Sequence, residues 1–64
     1  MLTREELKKA YKEAKETQYF FEECEENATE DYLKRIQHSR VEALRDLANA
    51  IDKVLWEVYD DPNE

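Results

Sequence analysis

Between Ala28 and Tyr59 the apolar residues keep two helical seams at once. Leu44, Leu47, Ile51, Val54 and Val58 step by three and four, while Val41, Leu44, Ala48, Ile51, Leu55 and Val58 run beside them. At 100° per residue both sets, with Leu33 and Ile36, fall in one broad sector. One seam is enough to cover a single neighbour. Two adjacent seams suit a helix that packs against more than one partner, and this wide face is what the rest of the chain has to cover.

Few other residues compete with helix. Glycine is absent, proline occurs once, and 42% of the 64 residues are charged. Such a composition predicts an all-α single domain near the size where one chain's core is marginal. Met1 to Ala10 is polar and charged, without the apolar run of a secretory signal, and no stretch approaches the ~20 apolar residues of a membrane span. One cysteine, Cys24, excludes an intrachain disulfide, and a reducing, cytoplasmic setting is expected.

A first helix is expected from about Arg4 to Glu25. Thr3 with Glu6 three residues on is the capping-box pattern, and Leu2 with Leu7 occupies the positions of a hydrophobic staple. Its apolar stripe is thin (Leu7, Ala10, Tyr11, Ala14, Phe21), and Thr17 and Gln18 interrupt it. Asn27 with Glu30 three residues later reads as a second capping box, with Thr29 as an alternative cap, so the second helix is expected over about residues 28–59. Pro62 ends it, and residues 61–64 are expected to fray. The rival reading is one continuous helix, since no glycine marks the break.

A turn near residue 27 makes an antiparallel two-helix hairpin in which facing residue numbers add to about 54. In that register the first helix gives out opposite Ala50. Ile51, Val54, Leu55, Trp56, Val58 and Tyr59 then overhang, and with Leu44 they are expected to form a homodimer interface that completes a four-helix bundle. The same register sets Gln37 and Arg40, which interrupt the second helix's apolar face, opposite Glu13, Thr17 and Gln18. A buried polar layer is the expected result.

The formal charge of −7 is unevenly spread. Met1 to Lys15 carries +2, Glu16 to Asp31 carries seven acids and no base, Tyr32 to Lys53 carries +2, and the remainder −4. Without a dominant basic stripe, direct nucleic-acid binding is disfavoured. Glu22, Glu23, Glu25 and Glu26 sit in the last turn of the first helix, where the macrodipole favours cations; Glu30 and Asp31 open the second helix, where acids are favourable. Tyr19 and Phe20 lie off the apolar stripe beside this block. Together these eight residues are the expected partner-binding site, an acidic and aromatic end suited to a basic surface that itself holds nucleic acid. A solvated, merely solubilising turn is the plainer alternative.

Chemistry finds little purchase. His38 is the only histidine, no Glu-x-x-His pair offers a di-metal site, and the glutamates lack the glycine-centred loop of a calcium site. No metal, cofactor or enzymatic activity is expected. The chain reads as a non-catalytic inhibitor or adaptor of the kind phages and mobile elements direct at host proteins. The other readings are a small-molecule or nucleotide binder with a dimer-interface pocket lined by Gln37, Arg40 and tyrosines, and a structural assembly subunit.

Overall fold

The computed structural model describes residues 2–60, so the expected frayed tail at 61–64 lies outside the described residues. Two helices pack antiparallel, α1 over Arg4–Asn27 and α2 over Asp31–Tyr59. The hairpin expectation holds at this level, and the continuous helix does not.

The start of α1 is the capping box read from Thr3 and Glu6. The Glu6 N–H donates to Thr3 Oγ1 at 3.2 Å, and the Thr3 N–H donates to Glu6 Oε1 at 3.0 Å. The backbone N–H of Thr3, then its side chain, holds the Glu6 carboxyl below its ordinary pKa. Leu2 remains half exposed, and its carbonyl accepts from the Tyr59 hydroxyl at 3.1 Å. At the far end, Asp60 stops α2 in the left-handed region, φ 50° and ψ 44°, with its N–H on the Leu55 and Trp56 carbonyls. Aspartate is among the few residues other than glycine that visit this region readily.

The break falls later than the cap residues suggest. Asn27 is the last residue of α1, not a cap for α2. Ala28 and Glu30 are extended, φ −70° and −100°, and Glu30 caps α2 through its backbone without a side-chain bond. No position in this break needs positive φ, which is why it needs no glycine. The second capping box is therefore not formed, and the helix bounds move from 25 and 28 to 27 and 31.

Moving the break slides the whole register. Glu25 meets His38, Phe21 lies under Arg40, and Leu2 reaches Tyr59, so facing residue numbers add to about 61 to 63. The expected overhang disappears. Leu7, Ile51 and Leu55 form one cluster, with Ala10, Tyr11 and Tyr59 packed around it. Leu55 is 0% exposed and Ile51 is buried, so both are taken up by their own chain. Val54, Trp56 and Val58 do stay exposed, and Leu44 and Tyr59 are half-buried. The rest of the core is Ala14, Val41 and Ala48. Two alanines at the contact let the helices approach closely but add little apolar area.

Leu55→Ala is expected to cost about 2–5 kcal/mol in denaturant unfolding, the usual range for emptying an enclosed leucine site. A loss below about 1 kcal/mol would mean that Leu7 and Ile51 do not enclose it.

Candidate functional site

Helical rotation divides the hairpin into two broad faces. On α2, Val41, Ala48 and Leu55 point at α1. Turning one way around the helix reaches His38, Glu42, Arg45 and Asn49; turning the other way reaches Arg40, Leu44, Leu47, Val54 and Val58. Two contacts match these sides to α1. His38 meets Glu25, and the Arg40 guanidinium lies 5.1 Å from the centre of the Phe21 ring.

The polar face holds a cleft of about 460 Å³ lined by Glu22, Glu25, Glu26, Lys34, His38, Val41 and Arg45. His38 bridges the helices there. Its Nδ1 is 3.3 Å from Glu25 Oε1, and its Nε2 is 2.9 Å from Glu42 Oε1. The Glu25 hydrogen bond and charge, then Glu42, raise the His38 pKa above its ordinary 6.5. Only the imidazolium donates from both ring nitrogens at once, so the arrangement favours the protonated form. Glu22 is also engaged, accepting at 2.9 Å from Gln18 Nε2. Two of the six acids expected to face a partner are thus committed within the chain.

Glu23, Glu26, Glu30 and Asp31 are exposed, as are three aromatic rings: Tyr19 at 58%, Phe20 at 60% and Tyr32 at 61%. Glu16, Tyr19, Glu23 and Glu26 recur at helical spacing on the outer side of α1, away from α2. Lys15 lies 5.6 Å from the centre of the Tyr19 ring. Phe20 sits at the edge between this outer side and the apolar face, packed edge-on to Phe21 at 5.3 Å.

The expected polar layer is not assembled. Arg40 is exposed, its charge resting on an aromatic face instead of a buried partner. Gln37 is half-buried at the level of Glu25, with Oε1 buried and lacking a hydrogen-bond partner. The buried polar residue is Gln18, 4% exposed, which accepts from Lys15 Nζ at 3.4 Å while donating to Glu22. In the observed register Gln18 lies roughly 10 Å along the axis from Gln37, about two turns, so the two share no layer. Thr17 settles its hydroxyl on the Glu13 carbonyl at 2.8 Å. Gln18 was visible in the sequence as a break in the α1 stripe; only the shifted register tells that it faces inward.

Among the described residues no group of three histidine, cysteine or acidic side chains is placed to hold a metal. No described helix is long and apolar enough to cross a membrane. No family model matches this chain, nor does any curated protein or solved structure.

The His38 bridge carries a pH signature. Because the folded pKa is raised, its contribution is fully present below the unfolded value and is lost as pH rises through the folded one. The melting temperature is expected to be higher at about pH 6 than at about pH 8, and His38→Gln should remove that increment. An increment that survives the substitution would place its origin elsewhere.

Proposed function

We propose that the chain is a non-catalytic protein-binding module whose acidic turn end docks on a basic surface of a partner. The observation that carries this reading is the pairing of exposed acids with exposed rings. Glu23, Glu26, Glu30 and Asp31 stay on the surface within two turns of the break, beside Tyr19, Phe20 and Tyr32. Acids steer a basic partner and accelerate association, while a ring buried at the contact slows dissociation. Glu26 sits in the last turn of α1, which has no basic residue, and Glu23 directly before it, where both oppose the macrodipole. Local stability alone disfavours that placement. In this reading the hairpin works as a homodimeric four-helix bundle inside the cell, and its partner is a protein with a nucleic-acid-binding or similarly basic groove.

The test separates stability from binding. Glu23→Lys with Glu26→Lys, and separately Tyr19→Ala, are compared with wild type as bait at about 0.1 M and 0.5 M salt, across which exposed charges become strongly screened. Proteins captured by wild type at low salt are expected to be lost with both variants and at high salt. The lysine pair should melt at the same or a slightly higher temperature, because it suits the helix dipole. Equal capture by the lysine pair would return these acids to a solvated turn.

A further inference from the structure

Among the described residues the hairpin buries four large apolar side chains, Leu7, Val41, Ile51 and Leu55, and leaves nine exposed. Six of the nine lie along α2: Tyr32, Ile36, Leu47, Val54, Trp56 and Val58, with Trp56 on the His38 side of the helix. Ile36, Leu47, Val54 and Val58, with Ala43 and Ala50 between, trace one strip down the helix in steps of three, four and, from Ile36 to Ala43, seven residues. It takes in Leu47, Val54 and Val58 of the first seam, on the side marked by Arg40 and Phe21. None of the described residues covers it.

We infer that a second copy of this chain covers this strip, with the two hairpins face to face and their turns at opposite ends. This deepens the homodimer reading by naming its face and orientation. It needs no partner protein, so it stands or falls apart from the docking proposal.

Three observations select this occupant and this orientation. The first is size. The hairpin measures 43 × 21 Å across its broad face, about 900 Å² in projection, close to the ~800 Å² each partner buries in a standard interface.

The second is apolar matching. Beside the strip, α1 offers Glu6, Glu13, Thr17 and Phe20 on the same face. With turns at the same end, each strip would meet that polar side of the other copy's α1. With turns at opposite ends, α2 crosses the other α2 antiparallel. Leu47 then lies near the two-fold axis beside its own counterpart, and Val58 stands level with Ile36.

The third is charge. Turns at one end would crowd together two blocks of seven acids, Glu16 to Asp31. Turns at opposite ends separate those blocks by the bundle's length. Each is then laid along the other copy's Met1 to Lys15 segment, which carries +2.

The experiment reads assembly and orientation on the chain alone. In a Cys24→Ser, Thr29→Cys chain, a spin label at the turn reports the distance between copies. Opposite ends predict about 50 Å, and a shared end predicts under about 25 Å. In sedimentation, wild type is expected to run as a dimer at about 50 µM, within the range where a modest interface saturates. Leu47→Asp should run as a monomer, and Asn49→Asp on the polar face should leave the dimer intact. A short label distance overturns the orientation, and a dimeric Leu47→Asp overturns the face. A fully helical wild-type monomer overturns the whole inference. Should Leu47→Asp fail to fold, the wild type decides: a melting temperature that rises with concentration supports the inference, and a flat one overturns it.

Discussion

The hairpin depends on where its backbone is allowed to be extended. Ala28 to Glu30 is the only interruption between two helices that otherwise run without a break, and it settles which residues of α2 meet which residues of α1. In antiparallel packing every residue gained by one helix is lost by the other, so a shift of the break counts twice in the register. From this one constraint follow the Leu7–Ile51–Leu55 cluster, the Glu25–His38 contact, the ring of Phe21 beneath Arg40, and the level at which Tyr59 reaches Leu2.

The helices themselves were legible because their signals are local. Thr3 and Glu6 make a box with two reciprocal bonds, and the arrest of α2 at Tyr59 agrees with the proline three residues on. The break was less legible. Asn27 and Thr29 have strong capping preferences worth about 1 kcal/mol, yet neither caps α2. Continuing α1 through Asn27 aligns Leu7 with Leu55, and burial of that size outweighs a cap. Misplacing the turn made an overhang of residues that the chain encloses, and it paired Gln37 and Arg40 with the wrong residues of α1. The candidate acidic site was legible by composition, but not the internal duties of Glu22 and Glu25, which depend on Gln18 and His38 facing them.

The two broad faces differ in kind. One is stitched by the His38 bridge, the other carries the open apolar strip, and the acids and rings of the turn border both. Long amphipathic helices usually devote one stripe to the core. Here α2 has enough apolar surface for two neighbours, while α1 has enough for one. That asymmetry, already present in the spacing of Leu44, Leu47, Ile51, Val54 and Val58, is what leaves the second stripe in water when a single hairpin is considered alone.

The bond from the Tyr59 hydroxyl to the Leu2 carbonyl brings the start of α1 and the finish of α2 to the same place. The hairpin is therefore a rod held at its foot, about 43 Å long, with entry and exit side by side. Set into a loop of another polypeptide, such a rod would demand almost no separation between its two attachment points, and it would present its negatively charged tip as the outermost part of the combined molecule.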